Sequence, residues 1–169
     1  MNNRYLKART LARVKHIGQQ YGERPYYSHL ETVSRLASPF GINAMIVAQL
    51  HDVIEDTETS VDELAADFGF LVADAVKYMT DGKLTDRMKR KIEINQRLAS
   101  LDIDEEAGRL ALIVKACDRL ANVRASKKAS EAHFKMYQQE HNAFKQAVYR
   151  KGLCEAIWWE LDTLIERRA

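Results

Sequence analysis

The chain is poor in the residues that punctuate or cross-link a fold. Its 169 residues include two cysteines, two prolines and seven glycines. Cys117 and Cys154 both sit in apolar, helical-looking stretches with no signal peptide ahead of them. They read as reduced core residues of a cytoplasmic protein, neither a disulfide framework nor a zinc site. No apolar run approaches the ~18 residues of a membrane-spanning helix. Alternating apolar and polar runs are also missing, so no strand is predicted. Neither sign of charge dominates: the formal net charge is +2, too small to imply nucleic-acid or membrane binding from bulk electrostatics. What remains is 46% hydrophobic and 30% charged residues, enough to bury one core in a chain of this length.

The pattern that is present is helical. Tyr5, Leu6, Ala8, Leu11, Ala12 and Val14 supply the apolar positions of a helix predicted over about 4–20. The loop Tyr21-Gly22-Glu23-Arg24-Pro25 follows, then a helix from about Ser28 that stops before Pro39 and Gly41. Asn43 offers an N-cap for the next helix. Ser60-Val61-Asp62-Glu63 has the capping-box spacing and opens a short helix ending at Gly69. Further helices are predicted over 70–79, after the cap Thr85-Asp86, and over about 131–149 and 153–167, the last two split by Gly152. The expected class is all-α: one domain over 1–169, with its motifs within 29–122 and the helices of 131–167 completing the bundle.

Two stretches, 44–56 and 110–123, are apolar on every side and yet carry carboxylates. A helix without a polar stripe belongs to a core, where an unpaired carboxylate costs several kcal/mol or neutralises. On the first stretch, spacings of three and four join His51 and Glu55, Asp52 and Asp56, and Asp52 and Glu55. Three carboxylates at the negative pole of a helix dipole call for a cation. On the second, Lys115, Asp118 and Asn122 share a face, and His29 opens a third helix. Each feature has a bland account: a hydrogen-bonded core histidine, a local Asp118–Arg119 pair, a frayed end at Glu55-Asp56. One ion held by two imidazoles and two carboxylates accounts for all of them together. Mixed nitrogen and oxygen donors without thiolate suit manganese, iron, zinc or magnesium better than calcium.

His29, then His51-Asp52, then Asp118 resembles the H…HD…D order of the HD-domain metal phosphohydrolases. The neighbouring residues sharpen the likeness. Leu50-His51-Asp52-Val53-Ile54-Glu55-Asp56-Thr57 and Lys115-Ala116-Cys117-Asp118-Arg119-Leu120-Ala121-Asn122-Val123-Arg124 resemble the hydrolase domain of RelA/SpoT-type alarmone enzymes. The chain length resembles that of the small alarmone hydrolases of the Mesh type. The likeness runs from about Ala8 to Tyr137 and includes Met79-Thr80-Asp81-Gly82-Lys83.

The resemblance implies His29, His51, Asp52 and Asp118 as ligands of Mn2+, and Glu55 and Asp56 as the residues that position and deprotonate water. It places Asn122 beside the nucleotide and Tyr137 in the pocket. The implied reaction removes the 3′-pyrophosphate of ppGpp or pppGpp, leaving GDP or GTP. Lys83, Arg87, Lys89 and Arg90 are candidates for steering phosphates, against the plain alternative of a solvated basic face. Lys15-His16 is equally ambiguous, and His133 and His141 read as surface residues. The sequence departs from the family ahead of the first histidine, where a shorter loop carries Tyr21 and Arg24 in place of a basic pair. Leu30 and Ala125 replace the family's proline and small polar residue. Base identity therefore stays open, with Tyr21 able to stack on a purine and an adenine alarmone such as ppApp as an alternative. Two rivals stand beside this expectation: an HD phosphohydrolase of nucleoside monophosphates, and a non-catalytic helical module that keeps a metal for folding. The expected partner is a small nucleotide, with neither nucleic acid nor membrane.

Overall fold

The computed structural model describes residues 2–82 and 84–166. They form α1 (Asn3–Lys15), a hairpin of β1 (Gln20–Tyr21) and β2 (Arg24–Pro25), α2 (Tyr27–Ala37) and a 3-10 turn (Ser38–Phe40). There follow α3 (Ile42–Leu50), α4 (Val53–Asp56), α5 (Val61–Phe68), α6 (Phe70–Met79), α7 (Arg87–Ala99), α8 (Glu106–Ala129), α9 (Glu131–Val148) and α10 (Glu155–Glu166). The class is all-α, as expected. Lys83 and position 167, where the last predicted helix ends, lie outside the described residues. Among the described residues no helix is long and apolar enough to cross a membrane.

α8 is the axis of the bundle. It packs against α2, α3, α6, α9 and α10, so it needs apolar side chains all round. Leu112, Val114, Ala116, Cys117 and Leu120 are fully buried, each of the larger ones contributing about 1.5–3 kcal/mol. Gly108 lets the preceding loop lie against the start of α8, because a Cβ there would fall 2.6 Å from the Asp102 carbonyl. Ser60 and Glu63 close the predicted capping box on α5.

Several expectations need correction. α1 ends at Lys15, five residues early, because Gly18 takes a φ of 81° that no helix allows. The loop after it pairs as a two-residue antiparallel hairpin, Gln20 opposite Pro25 and Tyr21 opposite Arg24. Gly41, not Asn43, caps α3, and Asn43 sits inside the helix with its amide donating to Glu106 Oε1 at 3.3 Å. Cys154 is buried but precedes α10 in a left-handed conformation, φ 47°. His141 is buried, not on the surface: α10 brings Asp162 Oδ1 to within 2.9 Å of its Nε2. His133 is exposed, as expected.

The most consequential correction concerns the helix predicted over 44–56. It breaks at His51-Asp52, where Asp52 adopts φ −102° and ψ −1° between α3 and α4, the bridge region that many active-site residues occupy. Neighbours in an unbroken helix do not face one another. The joint lets both side chains point at one place, with His51 Nε2 2.9 Å from Asp52 Oδ2.

Candidate active site

The H…HD…D residues converge. His29 comes from the first turn of α2, His51 and Asp52 from the joint between α3 and α4, and Asp118 from the middle of α8. Those three helices pack pairwise on one another, which fixes the spacing of what they carry. One donor atom from each of His29, His51 and Asp118 lies within 4.8 Å of the others. Asp118 Oδ1 is 3.2 Å from His29 Nε2 and 3.7 Å from His51 Nε2, and Asp52 Oδ2 is 4.0 Å from His29 Nε2.

These separations test for a shared ion. Ligands about 2.1 Å from one metal stand roughly 3 Å apart when adjacent and about 4.2 Å when opposite. The four nitrogen–oxygen separations of 2.9, 3.2, 3.7 and 4.0 Å lie close to that range, and the mutual cluster is His29, His51 and Asp118, with Asp52 set against the two histidines. His51 Nδ1 donates to the Ala48 carbonyl at 2.8 Å, which leaves Nε2 facing the carboxylates as the nitrogen that would give its lone pair to an ion in place of a proton. That Nε2 is buried and 2.9 Å from a carboxylate oxygen, yet it makes no well-directed hydrogen bond among the described residues. A metal ligand behaves this way; an ordinary core histidine does not. The donor set fits a divalent cation.

Around the centre, charge is balanced by position. Burial pushes the Asp52 carboxyl up, but without an ion a protonated His51 beside it outweighs burial and holds the group below its ordinary value; a bound cation would take that proton's place. Tyr26 adds a hydroxyl that donates to Asp52 Oδ2 at 2.6 Å, and His16, buried, stacks on the Tyr26 ring with centroids 4.8 Å apart. Lys115 donates to the Met79 carbonyl at 3.3 Å and stands 3.9 Å from Asp118 Oδ2. Burial works against its charge, and Asp118 and Asp81 outweigh burial, so the ammonium persists.

Glu55 and Asp56 follow on α4 and open to the cleft. Glu55 Oε2 accepts the Asp81 backbone N–H at 3.0 Å. Loss of water and the Asp81 carboxylate raise its pKa above the ordinary glutamate value. Loss of water and the Asp52 charge do the same for Asp56. The cleft has a volume of about 290 Å³, and its far wall is basic and aromatic, with Arg87, Lys91 and Tyr137. Arg87 pairs with Glu140 at 3.0 Å. Arg119 bonds the other Glu140 oxygen at 3.1 Å and lies 4.8 Å over the Tyr137 ring and 4.2 Å over Phe144.

The remaining sequence candidates divide. Asn122 lines the cleft, its Nδ2 donating to Asp118 Oδ1 at 2.6 Å. Tyr21 reaches the site: its hydroxyl donates to Asn122 Oδ1 at 2.7 Å and its ring stacks on His29. Arg24 is exposed and is not among the residues that line the cleft, nor are Lys89 and Arg90. Sequence reasoning assigned no role to Tyr26, Asp81, Lys91 or Lys115, all of which line it. Two had a visible signal, since Tyr26 lies three residues before His29 and Lys115 three before Asp118. Asp81 and Lys91 depend on how α6 and α7 meet α4, which no local spacing encodes.

No protein-family model matches the chain. Human MESH1, named guanosine-3′,5′-bis(diphosphate) 3′-pyrophosphohydrolase, is 35% identical over 127 residues, which are 70% of this chain and 67% of that protein. A GTP pyrophosphokinase of Streptomyces coelicolor is 28% identical over 155 residues, 83% of this chain but 16% of the longer protein. A solved structure described as a metazoan ortholog of SpoT that hydrolyzes ppGpp superposes with a TM-score of 0.82 at 23% identity, over 97% of this chain and 94% of that one. The superposition shows a shared fold, and the sequence match shows kinship. The chain belongs to the MESH1 family of RelA/SpoT-type HD hydrolases.

Proposed function

We propose that this chain hydrolyses the 3′-pyrophosphate of ppGpp and pppGpp with Mn2+ held by His29, His51, Asp52 and Asp118. The carrying observation is the buried His51 Nε2, which has no well-directed hydrogen bond among the described residues and stands among the carboxylates and His29. The MESH1 relatives bear the name of this activity. A divalent ion bound there supplies Lewis acidity toward a phosphate oxygen and acidifies water.

The protein's own groups do the rest. Glu55 keeps Oε1 for a water proton while Oε2 rests on the Asp81 N–H, and its raised pKa makes it a better proton acceptor at neutral pH. Asp56 orients the same water. The water oxygen bonds to the phosphorus on O3′, the P–O3′ bond breaks, O3′ takes a proton and pyrophosphate leaves. Arg87, Lys91 and Lys115 face the developing phosphate charge. Asn122 and Tyr137 border the nucleoside.

We take 1–169 as one HD domain, with its motifs in 29–122 and the helices of 131–167 closing the bundle. We infer a cytoplasmic enzyme whose partner is a small nucleotide rather than nucleic acid or membrane, in keeping with a formal net charge of +2. The test is incubation of Mn2+-loaded protein with ppGpp, pppGpp, ppApp and GMP, following pyrophosphate against orthophosphate. Pyrophosphate from the guanine alarmones is expected. Orthophosphate alone, or turnover of GMP alone, would overturn the assignment, and exclusive turnover of ppApp would move it to the adenine series.

A further inference from the structure

We propose that Tyr21 is a positioning residue of the metal centre, orienting His29 with its ring and Asp118, through Asn122, with its hydroxyl. The inference rests on the divalent-cation reading of that centre. The two histidine ligands are anchored differently. His51 Nδ1 donates to the Ala48 carbonyl, so a hydrogen bond sets its ring plane. His29 Nδ1 is buried and has no hydrogen-bond partner among the described residues. The face of the His29 ring is held instead by Tyr21, stacked on it with centroids 4.6 Å apart and planes at 22°, while Tyr26 meets the ring edge-on at 5.8 Å and Asp118 Oδ1 stands 3.2 Å from its Nε2. That ring face is consequently not available to a purine.

The hydroxyl acts on a second ligand. It donates to Asn122 Oδ1 at 2.7 Å, and Asn122 Nδ2 donates at 2.6 Å to Asp118 Oδ1. This is the oxygen that stands 3.2 Å from His29 Nε2 and 3.7 Å from His51 Nε2. An amide turned by 180° would set its oxygen against the Asp118 carboxylate. With its hydroxyl donating, Tyr21 selects the orientation that keeps a donor on the ligand. The two-residue hairpin with Gly22 at φ 61° presents Tyr21 to both targets. Supporting groups of this kind change metal affinity about 10–100-fold when removed.

Calorimetric titration with Mn2+ tests the proposal on the wild-type chain, Tyr21→Phe, Tyr21→Leu, Asn122→Ala and the Tyr21→Phe/Asn122→Ala double variant. Tyr21→Phe, which keeps the stack and loses the hydroxyl, should weaken Mn2+ binding about 10-fold, and Tyr21→Leu by a further several-fold. In the Asn122→Ala background Tyr21→Phe should add nothing. The melting temperature of metal-free Tyr21→Phe should match wild type. Affinity within twofold of wild type in both Tyr21 variants overturns the proposal, as does a weakening matched by an equal melting loss without metal. An undiminished Tyr21→Phe effect in the Asn122→Ala background also overturns it. A wild-type chain that binds no Mn2+ refutes the metal centre itself, a distinguishable result that takes this proposal with it.

Discussion

Arg119 is the residue on which the wall of the cleft turns, and replacing it with methionine tests how that wall is held. Its guanidinium is 8% exposed as a residue, bonds Glu140 Oε2 at 3.1 Å and lies 4.2 Å and 4.8 Å over the rings of Phe144 and Tyr137. A hydrogen bond between charged groups contributes about 1.5–3 kcal/mol. The low end applies, because Glu140 is partly exposed and keeps Arg87 at 3.0 Å. The two ring contacts are worth about 1–2 kcal/mol in a site with little water, of which a methionine sulfur recovers part. The net loss for Arg119→Met is about 2 kcal/mol, or about 4–8 °C in Tm for a chain of this size. Arg119→Ala, which also empties the space of the alkyl stem, should cost about 1–2 kcal/mol more. Urea titration measures both, with the midpoint moving and the slope unchanged. A freed Tyr137 ring should also raise KM more than it lowers kcat. If Arg119→Met lies within about 0.5 kcal/mol of wild type, where ordinary surface changes fall, the guanidinium does not hold the wall.

Three further outcomes are expected. Glu55→Gln should bind Mn2+ as wild type does while kcat falls about 10² or more; normal turnover would remove Glu55 as the base. Mn2+ at about 100 times its Kd should stabilise wild type by about 2.7 kcal/mol, or about 5–11 °C, and this shift should vanish in His51→Ala; an equal shift in a thermal melt would place the ion elsewhere. Burial pushes the Asp162 carboxyl up, but Lys145 and His141 outweigh it and hold the group below its ordinary value. A lowered folded pKa stabilises above the ordinary carboxylate range and is lost as pH falls through the folded value. Asp162→Asn should therefore be about 1 kcal/mol less stable at pH 7, with the gap closing below about pH 4; a gap that widens in acid would contradict the ion pair.

Local signals recovered what local chemistry decides. Ser60 and Glu63 announce α5, Gly69 ends it, and the apolar continuity of 110–123 marks the axis helix. The meeting of His29, His51 and Asp118 was legible because HD-type residues stood where greasy helices should carry no charge. The break at His51-Asp52 was not legible, since no glycine or proline marks it and the sequence before it is apolar but for Gln49. Its cause is tertiary: two adjacent side chains must meet His29 and Asp118, which lie far away in sequence. His141 was misjudged although Phe144 and Val148, three and seven residues on, complete a buried face with it. Its polar partner Asp162 arrives only when α10 docks. Tyr21 was noticed as a departure, but its two contacts depend on a hairpin too short for any alternation to reveal.

The groups gathered around the cation site come from positions 29, 51–52 and 118, on helices that already seal a common hydrocarbon interior. The scaffold is therefore assembled before the ion has anything to grip. Unlike a zinc finger, whose chain collapses only around its metal, this protein should survive chelation as a folded but silent molecule. Withdrawing the ion would then turn the proposed hydrolysis down reversibly, while the fold loses only the few kcal/mol that the bound ion adds.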